Sequence, residues 1–319
     1  MATVTRPLPG QVVRERRSAG LWSDAWGRLR KNRLALLGLF MVLLLLFLGI
    51  FGPFLAPYPY AQQDLKAIQQ AAADGYGIGP LNPGQYGHVL GTDQLGRDLL
   101  SRLLDGARIS VSVALVVQLV ILMIGVPIGA IAGWFSGRLD NILMRFTDII
   151  YAFPDLLFII ILSVVFRETA FGRAFDGLLM IFVAIGLTSW VTVARLVRGQ
   201  LLSLKETEFV EAARAIGVTD RKIITKHLLP NGVGPIIVAV TLGIPGAILA
   251  EAVLSYIGIG VQPPRASWGS LINEGYKWIR AEPHLVLFPA ICIAAALASF
   301  TFLGDGLRDA LDPKLKGKQ

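Results

Sequence analysis

Charge is what this sequence has least of for its length. Only 16% of its 319 residues are Asp, Glu, Lys or Arg, while 54% are hydrophobic. A soluble chain of this size needs a polar shell, and that fraction cannot supply one. Mean hydropathy is +0.61, so the class is integral membrane protein. Cysteine is almost absent: Cys292 stands alone in an apolar run, which excludes an internal disulfide and reads as a small buried hydrophobe. The three histidines, His88, His227 and His284, are far apart, so no metal cluster is spelled out. The phosphate-cradling pattern G-x-x-x-x-G-K-[ST] does not occur either, so any ATP and Mg would be bound by other chains. A formal charge of +8 would suggest nucleic acid in a soluble protein. In a membrane protein it reads instead as basic cytoplasmic loops facing anionic lipid, and no nucleic-acid partner is expected.

What the sequence has in plenty is long apolar runs. About 20 such residues cross a bilayer as a helix, and six stretches qualify: Leu34–Ala56, Ile109–Gly137, Ile149–Phe166 (interrupted by Asp155), Gly177–Ala194, Leu228–Ala250 and Leu285–Gly304. The expected fold is an all-α integral membrane bundle of six transmembrane helices. Six spans put both termini on one side. With that side cytoplasmic, 21 Lys and Arg lie inside and 9 outside, as the positive-inside rule requires. The expected organisation is a cytoplasmic segment 1–33, a first span 34–57, an extracytoplasmic loop 58–108, a core of five spans 109–307 and a cytoplasmic tail 308–319.

Between the fourth and fifth spans the chain turns charged, over a cytoplasmic loop 199–230. Phe209, Ala212, Ala213 and Ile216 fall at i, i+3, i+4 and i+7, one apolar stripe of a short helix. Gly217 follows as its stop. Thr219 or Asp220 can cap a second helix running to Pro230. Periodicity leaves two roles open for the stripe: a surface for a partner, or a helix lying on lipid. Outside, Gly91–Arg108 reads as an amphipathic helix capped by Thr92 or Asp93. Leu95, Leu99, Leu103 and Leu104 share one face, with Arg97, Asp98, Arg102 and Asp105 largely opposite.

Glu211-Ala212-Ala213, Gly217 and Leu229-Pro230 resemble the signature loop of ABC-importer permeases, with His227 departing from the pattern. GTDQLGRDLLSRLLDGAR (Gly91–Arg108), SYIGIGVQPPRASWG (Ser255–Gly269) and LGDGLRDALDPKLK (Leu303–Lys316) resemble the C-type permease of the dipeptide, oligopeptide and nickel importers. The resemblance runs from about Arg28 to Lys316 and is weak over Gln62–His88. It implies a type I importer fold in a bacterial or archaeal cytoplasmic membrane. It also implies a second, homologous permease, two cytoplasmic ATPases and an extracytoplasmic binding protein as partners. The cargo would be a dipeptide, a longer peptide, a glutathione-like peptide or a nickel chelate. The chain itself would not be an enzyme. Carried over residue by residue, the ATPase-coupling set is Glu206, Phe209, Glu211, Ala212, Ala213, Ile216 and Gly217.

Acidic residues near membrane depth are costly, about 2.5–3.5 kcal/mol each on insertion scales. Asp148 can pair with Arg145 at the cytoplasmic edge. Asp155 follows Pro154 inside the third run. Glu251 follows the fifth, either in water at its outer end or facing the pore. Asp155 and Glu251 are therefore the candidates for a translocation path, on which they would favour an amino terminus or a cation. A secondary transporter would need inverted repeats with paired broken helices, which the sequence does not display. A membrane enzyme would need a His, Ser or Asp cluster at depth.

The topology is testable by cysteine labelling from outside sealed cells, in a background lacking Cys292. Gly75→Cys is expected to react while Glu15→Cys and Ala212→Cys are spared. Labelling at position 15 would overturn the six-span arrangement.

Overall fold

The computed structural model describes residues 21–76, 79–166 and 168–312. The arginines expected in the segment before residue 21, and the tail beyond 312, lie outside the described residues. The described chain is helical: α1 (Leu21–Leu29), α2 (Arg33–Leu55), α3 (Leu65–Ala73), α4 (Leu99–Phe135), α5 (Gly137–Ala152), α6 (Asp155–Phe166), α7 (Ala170–Arg173), α8 (Leu178–Lys205), α9 (Glu208–Ala215), α10 (Asp220–Lys222), α11 (Leu229–Asn231), α12 (Val233–Tyr256), α13 (Trp268–Tyr276) and α14 (His284–Leu311). A π turn, Ile223–Leu228, joins α10 to α11. Five helices are long and apolar enough to cross a membrane, or six if α5 and α6, bent against each other, are counted together as one span.

That bent pair corrects the third span, read above as one run over Ile149–Phe166. Ile149–Ala152 finish α5, and Phe153 is extended (φ −79°, ψ 137°) because Pro154 disfavours helical geometry in the residue before it. The chain turns by 82° there. α6 has only 12 residues, a rise of about 18 Å against a hydrocarbon core of about 30 Å, so it is a half-span. The fourth span is longer than read, since α8 continues through Arg195 and Arg198 to Lys205. Residues 199–205 of the expected loop therefore belong to a membrane helix. The fifth starts later, at Val233, after the Gly232 break.

Helix packing rests on small residues that let backbones meet, because lipid offers no hydrophobic drive between helices. α2 turns Ala35, Gly38, Val42, Leu45, Gly49 and Gly52 inward and leaves Phe40, Leu43, Phe47, Ile50 and Phe54 exposed, a lipid-type face. On α4, Gly125, Gly129 and Gly133 are spaced by four and lie on the α8 backbone. A Cβ on them would come within 2.9 Å of the Trp190 carbonyl oxygen, 2.3 Å of that of Ala194 and 2.8 Å of that of Arg198, respectively. α4 and α8 thus form the central pair. α12 and α14 pack beside it, and α1 docks on the end of α14 through Ala25, Leu29 and Ala310. Arg28 Nη1 donates to the Asp312 carbonyl over 3.1 Å, so the first and last described segments meet at one end of the bundle.

Any side chain at position 129 must push α4 off α8. Gly129→Ala is expected to cost about 1–3 kcal/mol, as overpacking typically does. That loss reads out as reduced membrane abundance and a lower melting temperature in detergent. Gly199→Ala, with nothing within 4 Å of its added methyl, should leave both unchanged.

Candidate functional site

α9 and the α10–α11 segment make a helix pair hung from the end of α8. The apolar stripe read from periodicity splits into two faces. Val210 and Ala213 are buried with Ile223 and Leu228 in the core that continues up α8. Phe209, Ala212 and Ile216 are exposed, as are Glu206, Glu208 and Glu211. Ala213 is therefore a correction: its methyl is spent on the chain's own packing and is not free for a partner. Gly217 is in the left-handed region at φ +77°. Its N–H donates to Arg214 O at 2.9 Å and the Val218 N–H to Ala213 O at 3.0 Å, the paired bonds of a glycine-stopped helix. Thr219 is the residue before the second helix, but its side chain makes no capping bond. Pro230 has no N–H for a regular turn, and the widened π turn directly precedes it.

The pair is fixed to α4 by Trp134. The Arg214 guanidinium stacks 4.6 Å from its ring, and Lys205 Nζ donates to its carbonyl at 2.7 Å and to Ser136 Oγ at 3.1 Å. α5 is tied to α8 by Arg198, which holds Asp140 with two bonds of 2.6 and 2.7 Å. Asp148 pairs with Arg195 at 2.7 Å and not with Arg145, because α8 extends far enough to bring Arg195 alongside.

Half-way along the bundle, α4, α6, α8 and α12 line an open-sided cavity of about 460 Å³, with Asp155 on its exposed side. Its polar lining includes Gln118, Asp155, Thr188, Ser189 and Thr192, on otherwise apolar walls. Asp155 opens α6, where the positive helix end favours its charge. Glu251 does not line this cavity. It is fully buried in α12, where it accepts from Ser255 Oγ at 2.6 Å and Ser110 Oγ at 3.1 Å, with Ser267 also bonded. Of the two path candidates the structure brings only Asp155 to the cavity, since the helix carries Glu251 round to the α4 side. Sequence reasoning passed over Gln118, although an amide within the apolar run Ile109–Gly137 is itself a signal.

A family model described as the binding-protein-dependent transport system inner membrane component matches residues 125–317. The N-terminal TM domain of oligopeptide transport permease C matches residues 20–72. The chain is 40% identical to the oligopeptide transport system permease protein OppC of Bacillus subtilis, over 94% of this chain and 92% of that one. It is 42% identical to the dipeptide transport system permease protein DppC of the same organism, over 95% and 88%. The chain belongs to the binding-protein-dependent transport permeases. In fold it is similar to a chain of the inward-facing MetNI methionine ABC transporter, with TM-score 0.54 and 20% identity over 67% of this chain and 96% of that one.

In this permease the segment before α4 is not the amphipathic surface helix expected over Gly91–Arg108. Gly91–Asp98 is non-helical, and Asp98, not Thr92 or Asp93, caps α4 by accepting from the Ser101 N–H. The charged side chains point inward. Arg102, 1% exposed, bonds Asp93 at 2.5 Å and Glu274 of α13 at 2.6 and 3.0 Å. Arg97 bonds the same two carboxylates at 2.6 and 2.8 Å. Asp98 holds His88 at 2.8 Å. The Leu95 end is exposed instead. An amphipathic pattern cannot tell a watered charge from one met by a partner 172 residues away, and Glu274 was invisible for that reason.

Removing one member of this network strands the others. Arg102→Met is expected to destabilise the permease by about 3–5 kcal/mol, the cost of leaving buried charge uncompensated. Arg102→Met combined with Glu274→Gln alone, which leaves Arg97 paired with Asp93, should recover much of it. Melting in detergent checks both, and a single variant as stable as wild type would contradict the clamp.

Proposed function

We propose that this permease is one of two homologous pore subunits of an ATP-driven importer that carries di- or oligopeptides across a prokaryotic cytoplasmic membrane. Two ATPases work on its cytoplasmic side and a binding protein delivers cargo outside. Both termini and α9 face the cytoplasm. The peptide class is supported by the relatives named above, both peptide permeases at 40% identity or more over nearly the whole chain.

The observation that carries the coupling reading is the outward face of α9. Phe209, Ala212 and Ile216 stand exposed beside Glu206 and Glu211, and no ion pair engages these acids among the described residues. Apolar surface of this kind, rimmed by charge, suits a protein partner. Gly217 ends the helix so that no side chain crowds that face. Ala213 and Val210 hold it from behind. Closure of the ATPase dimer would push α9, and Trp134 and α8 would pass the push to the cavity. The cavity, with Asp155 at its wall, is the path; Glu251 braces the helices around it. No residue of this chain performs bond chemistry.

The complete importer in proteoliposomes, supplied with its binding protein, is expected to take up a labelled tripeptide only with ATP present. Ala212→Trp should keep normal membrane abundance, lose the ATPases on co-purification and lose uptake. Ala213→Trp should lower abundance instead, since it bursts the chain's own core. If Ala212→Trp still transports at the wild-type rate with ATPases bound, the helix only lies on lipid, where Trp is tolerated.

A further inference from the structure

Gln118 is a polar group at the middle of the bundle to which the described residues offer no hydrogen-bond partner. It lies in the middle of α4 and is only 5% exposed, yet among the described residues no group donates to or accepts from its amide. Its side chain lines the cavity. The opposing wall is cut away to receive it: a Cβ at Gly243 of α12 would lie 3.0 Å from Gln118 Nε2 and 3.1 Å from Oε1. Of the other buried polar side chains around it, Thr188, Ser110 and Ser255 are satisfied locally, whereas Ser163 Oγ on α6 has no partner among the described residues. Thr188 donates to the Ile185 carbonyl at 3.0 Å, and Ser110 and Ser255 serve Glu251. Its amide opens on the cavity and is unspent on the chain's own bonds, so it is available to whatever fills that space.

The second open group is Asp155, the one charged side chain on the cavity wall. No cation pairs with it among the described residues; Arg195 and Arg198 of α8 pair with Asp148 and Asp140. The cavity volume of about 460 Å³ falls in the range of about 300–1,000 Å³ usual for small-molecule sites.

From this pairing we infer that the cavity is a peptide-binding subsite within the membrane, in which the Gln118 amide reads a main-chain peptide group and the Asp155 carboxylate takes the ammonium group at the peptide's amino terminus. A peptide group offers one donor and one acceptor, and a carboxamide answers both at once. An ammonium group next to it completes the match to Asp155. This rests on the reading of the chain as a peptide importer and adds that the permease selects its cargo, besides the binding protein.

Gln118→Leu keeps the volume and removes the unsatisfied amide, so it should insert and assemble at least as well as wild type. In proteoliposomes holding the complete importer, uptake of labelled trialanine should nevertheless fall by about tenfold or more, the loss from a missing buried hydrogen bond. Asp155→Asn should lower uptake of trialanine by about tenfold while changing that of N-acetyl-trialanine by less than about twofold, with Asp155→Glu restoring trialanine uptake. Each peptide is supplied at a concentration saturating the binding protein, whose affinity for it is measured separately. Wild-type uptake in Gln118→Leu or Asp155→Asn would overturn the inference. So would loss of the second permease from purified Gln118→Leu, which would assign the amide to that subunit. An unaltered importer that carries no peptide would instead overturn the peptide reading itself.

Discussion

The close approach of α4 to α8 is the constraint on which the rest of the molecule depends. Three glycines four residues apart place one helix backbone on another, and no other residue type fits at that distance. Because the two helices are locked along this seam, what happens at one end is felt at the other. The far end of α4 carries Trp134, onto which Arg214 stacks, and the far end of α8 carries the helix pair itself. The middle of the same two helices supplies Gln118, Thr188 and Thr192 to the cavity. A single rigid pair therefore joins the proposed ATPase contact to the proposed path. A loose pair would let a push on α9 dissipate before it reached the cavity.

Around that pair two contrasting kinds of polar group stand out. Arg102, Asp93, Glu274, Glu251 and Asp98 are each met by several partners. They fix the outer segment and α13 against the start of α4 and the end of α12. Such groups cost desolvation and repay it only while every member is present. Gln118 and Asp155 are the opposite kind, polar in an apolar wall and unengaged by the chain. The contrast separates bracing from binding more sharply than residue type does, since both kinds contain carboxylates.

The break at Phe153-Pro154 has a matching consequence. The 82° turn lays α5 across the α9 end of the bundle, where Asp140 and Asp148 tie it to α8, and it leaves the mouth of the cavity open at Asp155. Irregular backbone of this sort is tolerated at membrane depth where it borders a cavity and not lipid.

The sequence by itself determined the membrane class, the all-helical bundle and the position of the charged helix pair ahead of the penultimate long helix. These follow from local composition: a run of apolar residues has to avoid water wherever it ends up, and Gly217 stops a helix whatever surrounds it. The family too was legible, in the motifs of Gly91–Arg108, Glu211–Gly217 and Ser255–Gly269. Only the tertiary structure decided which way each side chain faces. Ala213 looked like partner surface until Ile223 and Leu228 were seen to cover it. Arg102 looked like a watered charge until Glu274 came to meet it, and Glu251 looked like a pore residue until three serines enclosed it. Gln118 stood in plain view but gained meaning only from Gly243 opposite. In each case the deciding group lies on another helix, and periodicity within one helix carries no information about what packs against it.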